Sequence, residues 1–162
     1  DEDPNKVRVE YLDNLEGAIP KFDSPNPHYM PNREVAWHNR TRSAGPPPIK
    51  TKYGWLLFYH AMDTHDPDRY KLGAVLLDSE DPRKVLYRSN YPVLEPDEWY
   101  ENDWKPGIIY ASGAIVKGDT LFIYYGGGDK HIGVASTNLS EFVRKLMNNE
   151  HAVFSIESTQ VE

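Results

Sequence analysis

At 162 residues with a net charge of −7 and no Lys/Arg cluster, the chain is long enough for one domain with a core, and its acidity excludes a nucleic-acid partner. The absence of cysteine excludes disulfides, thiolate catalysis and thiolate zinc sites, and the longest apolar stretch, Trp55 to Tyr59, is too short to span a bilayer. A mean hydropathy of −0.69 would suit a disordered chain, but 4 Trp, 11 Tyr and 5 Phe argue against disorder, and 13 Pro with 11 Gly point to the many turns of an all-β fold.

Residues 1–40 are polar, and Pro4, Pro20, Pro25, Pro27 and Pro31 interrupt any strand there. Next comes a glycine-led segment, Gly45-Pro-Pro-Pro-Ile49, and a turn at Lys52-Tyr-Gly54. Gly54 to His60 then reads as a buried strand, with Leu56, Phe58 and His60 on one face and Trp55, Leu57 and Tyr59 on the other. Leu72 to Asp78 is a second strand of similar type, and Lys84 to Ser89 a fourth member of the unit. About 65 positions on, the pattern returns. Gly113 to Val116 is the short opening segment, Lys117-Gly-Asp119 the turn and Thr120 to Tyr125 the aromatic strand. Gly126-Gly-Gly-Asp129 follows, and then Ile132 to Ser136.

A four-stranded unit recurring at this scale predicts a propeller blade; two similar hairpins in a β-sandwich are the alternative. Three consecutive prolines lack ladder donors and belong on an edge strand, which in a propeller lines the central cavity. Asn138 is an N-cap for a helix carrying Leu139, Phe142, Val143, Leu146 and Met147 on one face, with Glu141 placed as in a capping box. This helix is expected to pack and to hold no site.

The run Ala44-Gly-Pro-Pro-Pro-Ile-Lys-Thr51 followed by Gly54 to His60 resembles the central signature of glycoside hydrolase family 130. The resemblance continues through Leu72 to Asp78, Asp81 to Ser89, Pro92-Val-Leu-Glu-Pro96, Tyr124 to Asp129 and Ile132 to Ala135, covering roughly residues 30–147. It implies a five-bladed propeller with substrate in the axial cavity, acting on β-mannosides by phosphorolysis to mannose 1-phosphate or by hydrolysis. Both run with inversion, assisted by one acidic Asp. No catalytic residue is assigned in this chain. Asp81-Pro82-Arg83 looks like the family's acid motif but falls in a later loop, and is rejected as the acid.

The resemblance places His60 and, less strictly, Arg42 at phosphate-contacting positions, although strict alignment puts Thr41 where phosphorylases carry a basic residue. His60 is expected as an imidazolium facing the cavity and sharing a phosphate with Arg42. Asp129 matches a sugar-binding aspartate, with the alternative of a turn residue. Tyr110 and Tyr70 are candidates for stacking on a sugar face. The polar loop of Asp63, His65 and Asp66 matches no metal site, and none is expected.

The expected whole is all-β: a single domain over 1–162, a partial propeller of about two to three blades plus one short C-terminal helix. Within it lie an irregular segment at 1–40, blades at 42–94 and 107–137, and the helix at 138–148. The partners are a mannose-containing oligosaccharide and phosphate as co-substrate, with no cofactor. Exposed blade edges predict self-association or pairing with a missing N-terminal half. A glycan-binding fragment without the acid is the rival reading. The lack of cysteine is compatible with a cytoplasmic protein, which is expected, with a periplasmic or secreted one left open.

Overall fold

The computed structural model describes residues 35–156, together with the pairing of two short strands, β1 (Arg8–Val9) and β2 (His28–Tyr29). Most of the 1–40 segment, and so its expected irregularity, lies outside the described residues. Its last part is a tight turn closed by an antiparallel bridge between Val35 and His38.

Two antiparallel sheets follow. In the first, β3 (Arg40–Ala44) and β4 (Ile49–Thr51) both pair with β5 (Gly54–Asp63); β5 pairs with β6 (Asp66–Leu77), and β6 with β7 (Val85–Arg88). The glycine-led segment expected as one edge strand is therefore broken. Pro46 to Pro48 fall in the gap between β3 and β4, because three successive residues without N–H cannot donate to β5. Gly45 still donates to Phe58 O at 2.8 Å, so the edge runs to the gap before it opens.

The second sheet is β8 (Ile109–Lys117), β9 (Thr120–Gly127) and β10 (His131–Asn138). The expected Gly113–Val116 segment is the second half of a longer strand that bulges between Ala111 and Gly113. Beyond β10 the tail adds a further rung, Ser155 exchanging both backbone hydrogen bonds with Ser136 at 2.8 and 2.9 Å.

The repeat seen in the sequence has a steric counterpart. Tyr59 lies opposite Gly73 and Tyr125 opposite Gly133, one pair per sheet. A Cβ on either glycine would stand 2.4 Å from the tyrosine Cζ, so each ring lies flat across the neighbouring strand where only glycine leaves room.

One core joins the sheets. Leu56, Phe58, Leu72 and Leu76 of the first pack with Ile109, Leu121, Ile123 and Tyr125 of the second. Helix α1 (Leu139–Met147) closes this core with Phe142, Val143 and Leu146. Phe58, Phe142 and Phe154 form an aromatic triangle with centroids 5.3–6.0 Å apart. The opposite face of β5 buries Leu57, Tyr59 and Ala61 under Trp37 and Val85, which is why β5 is apolar on both faces.

Asn138 caps α1 by accepting from Glu141 N at 2.9 Å. The reciprocal half of the expected capping box is not made, since the Glu141 carboxylate pairs with Lys145 one turn on, at 3.1 Å. Asp119 of the β8–β9 turn supplies the second cap: its carboxylate accepts from Ser140 N and Oγ. The hairpin and helix are thus locked together.

Candidate functional site

His60 stands on the face of β5 that meets the second sheet, as the alternation of Leu56 and Phe58 requires, and it is completely buried. Its Nε2 accepts the backbone N–H of Ala111 at 2.9 Å. The ring proton therefore resides on Nδ1, which donates to Ser43 Oγ at 3.0 Å. Burial pushes the His60 pKa down to about 4, against a smaller opposing effect of a hydrogen bond with the Ala44 backbone. The expected imidazolium facing an open cavity is thus corrected: the ring is neutral at pH 7, and both nitrogens are engaged within the fold. A phosphate oxygen reaching this ring would have to take the place of the Ser43 hydroxyl.

Tyr110 stacks on His60, with centroids 4.3 Å apart and planes 7° apart. Nearly half of Tyr110 remains exposed, and it lines an open groove of about 420 Å³. The same groove is lined by Ser112, Tyr124, Asp129 and His131. Asp129 follows Gly128 in a turn where both have left-handed backbone, φ 55° and 56°. Its carboxylate meets Lys105 Nζ at 2.6 Å. Turn residue and groove residue are thus the same side chain, a carboxylate accessible from solvent on a backbone bend that aspartate tolerates.

The structure therefore brings Tyr110, Asp129 and, beneath Tyr110, His60 to one place. It does not bring Arg42 and Tyr70 into that groove. Arg42 lies at the bulge of β3, with its guanidinium 5.5 Å from the centre of the Tyr70 ring. Thr41, its neighbour, is buried. Asp81, rejected as the acid, is gripped by Arg83 at 2.6 Å, and this contact holds its pKa down at about 2. A carboxyl so strongly ionised has no proton to give a leaving group near neutrality. The Asp63 carboxylate is occupied by His65 and Asn39. Among the described residues no group of three or more potential ligands could hold a metal ion.

Ser43, Ser112, Lys105 and His131 escape sequence reasoning. Ser43 and Ser112 are small polar residues whose role comes only from what lies across from them. Lys105 sits in a connection without periodicity. His131 opens β10 and is held by Asp103 at 2.9 Å, a partner 28 positions away.

An all-β scaffold presenting tyrosine rings, a carboxylate and hydroxyls in one open groove has the chemistry of a carbohydrate surface. The rings offer flat apolar faces and the carboxylate accepts from sugar hydroxyls. A family model described as beta-1,4-mannooligosaccharide phosphorylase matches residues 11–148, and the chain belongs to this family, glycoside hydrolase family 130.

Similar proteins include a 1,2-beta-oligomannan phosphorylase of Thermoanaerobacter sp., 47% identical over 106 residues, covering 65% of this chain and 35% of that protein. A beta-1,2-mannobiose phosphorylase of Listeria innocua is 43% identical over 100 residues, covering 61% of this chain and 28% of that protein. A solved structure of a beta-1,2-mannobiose phosphorylase from Listeria innocua, in complex with beta-1,2-mannobiose, superposes with a TM-score of 0.66 at 35% identity, over 75% of this chain and 34% of that one. The chain spans about a third of the length of these relatives.

Proposed function

We propose that this chain is part of an inverting β-mannoside phosphorylase built as a five-bladed β-propeller, in which each of the two sheets is a blade and the β3–β4 and β8 edges face the axial cavity. The observation that carries the reading is the family-model match over residues 11–148, the span that holds His60, Tyr110 and Asp129, together with 47% identity over 106 residues to a 1,2-beta-oligomannan phosphorylase. The strand-and-glycine geometry shared by the two sheets supports the blade assignment. Inorganic phosphate is the co-substrate, and no cofactor is needed.

In this reading Asp129 accepts hydrogen bonds from mannose hydroxyls and Tyr110 covers one sugar face. His60, kept neutral, supports the phosphate side together with Ser43, and Arg42 and Tyr70, which lie outside the groove, border the axial cavity. A phosphate oxygen attacks the anomeric carbon from the face opposite the leaving oxygen, which a carboxylic acid from outside the described residues protonates. Incubation of the full-length protein with a β-mannobiose, with and without phosphate, tests this. Mannose 1-phosphate is expected only with phosphate; free mannose formed at the same rate in both would assign hydrolysis instead. The rival reading, a glycan-binding fragment, draws on the lack of an assigned general acid in this chain and predicts that the 162-residue chain binds mannoside without turnover.

Asp129→Asn in the full-length enzyme is expected to raise KM for mannoside about ten- to a hundredfold, the cost of hydrogen bonds to a charged acceptor. Its melting temperature should barely move, because the Lys105 ion pair is exposed. A lowered melting temperature with unchanged kinetics would make Asp129 a turn residue only.

A further inference from the structure

The connection between the two sheets contains a carboxylate outside the lining of the Tyr110 groove. Glu101 ends a short 3-10 turn, Trp99–Glu101, and is fully buried. Its Oε1 accepts the Tyr125 hydroxyl at 2.7 Å and its Oε2 accepts Glu98 N at 2.7 Å. Because the Tyr125 proton points to Glu101, the Tyr100 hydroxyl, 2.8 Å away, donates to Tyr125. Tyr125 in turn lies over Gly133 and beside the groove.

The glycine turn that carries Asp129 rests directly on this network. A Cβ at Gly127 would stand 3.2 Å from Glu101 Cγ and 3.1 Å from the Tyr100 ring, and one at Gly128 would stand 3.0 Å from Tyr100 O. Two backbone hydrogen bonds pin the turn as well, Gly128 N to Ile108 O at 2.9 Å and Lys105 N to Gly128 O at 3.1 Å. Asp129 is a non-glycine residue in left-handed backbone, a conformation that carries a strain cost, so it persists because the surroundings hold it.

We infer that Glu101 is a positioning residue: through Tyr125 and the packed Gly127–Gly128 backbone it sets the Asp129 carboxylate for a mannose hydroxyl. The inference rests on Asp129 being the sugar contact proposed above. Both Glu101 oxygens are consumed inside the fold, so its influence passes through the turn and not through substrate. Gln at this position offers one acceptor where two are needed, and its amide would oppose either the Tyr125 hydroxyl or Glu98 N.

The test is a double-mutant cycle on the full-length enzyme, reading KM for mannoside, KM for phosphate and melting temperature. Glu101→Gln is expected to raise KM for mannoside about tenfold, with the phosphate constant unchanged. Tyr125→Phe, which removes one hydroxyl and keeps the ring, should do the same and serves if Glu101→Gln fails to fold. In an Asp129→Asn background either change should add nothing further, since the group they position is gone. A full additional rise in the double variant, or an unchanged KM in a folded single variant, overturns the inference. If Asp129→Asn alone leaves KM unchanged, the sugar-contact reading itself fails, and the cycle separates the two failures.

Discussion

Acidification from pH 7 to pH 5 is expected to remove about 4 kcal/mol of stability, through two buried histidines. His38 and His60 both have pKa values lowered to about 4. Burial is the main cause for each, and the Arg88 guanidinium adds to it at His38. The unfolded chain takes up a proton at each histidine near pH 6.5, whereas the folded chain does so only near pH 4. Between those values the unfolded state binds more protons, so falling pH favours it. One unit is about 1.4 kcal/mol, so pH 5 costs about 2 kcal/mol per histidine.

Glu101 works in the opposite sense. Its carboxyl pKa is raised, chiefly by burial, so acid protonates it first in the folded state and restores part of the loss. The lowered carboxylates, Asp81 and Asp119 among them, lose their contributions only as pH falls below the ordinary carboxylate range. Urea titrations at pH 7 and pH 5 read the difference. Equal midpoints and slopes at both values would mean that the histidines are not buried neutral.

Gly133→Ala is expected to cost about 2–5 kcal/mol, a drop in melting temperature of about 2–4 °C for each kcal/mol. The new methyl group would meet Tyr125 Cζ at 2.4 Å and its hydroxyl at 2.7 Å. The ring must move, and moving it takes the hydroxyl away from Glu101, leaving a buried carboxylate short of one donor. Gly73→Ala should behave similarly, since the Tyr59 ring stands equally close. Gly126→Ala is the control, because its Cβ would meet nothing nearer than 3.9 Å. Thermal melts that rank Gly133→Ala with Gly126→Ala would refute the stacked arrangement of tyrosine on glycine.

Much of the scaffold was legible because period-two alternation reports directly which face a strand buries. Gly54 to His60 carries its pattern on its surface, and the helix after Asn138 shows its apolar face by spacing alone. The doubled unit of aromatic strand and following strand could be read as a repeat in the sequence, though the steric fit of tyrosine on glycine could not. The edge at Pro46 to Pro48 was legible in kind and misjudged in extent, since proline forbids pairing but leaves open where the flanking strands resume.

Four properties needed the tertiary structure: the charge of His60, the partner of Asp129, the separation of Arg42 from the groove and the burial of Glu101. Each depends on what lies across from a residue. His60 is neutral because burial desolvates it, and Ala111, 51 positions away, fills its Nε2 with an N–H. Glu101 is buried with its Oε1 filled by the hydroxyl of Tyr125, 24 positions away. A histidine or glutamate has the same sequence signature whether it ends in water or under a ring. Local pattern determines which face of a strand a side chain takes, while desolvation and hydrogen-bond partners, which set charge and chemistry, arise only when two sheets close on one another.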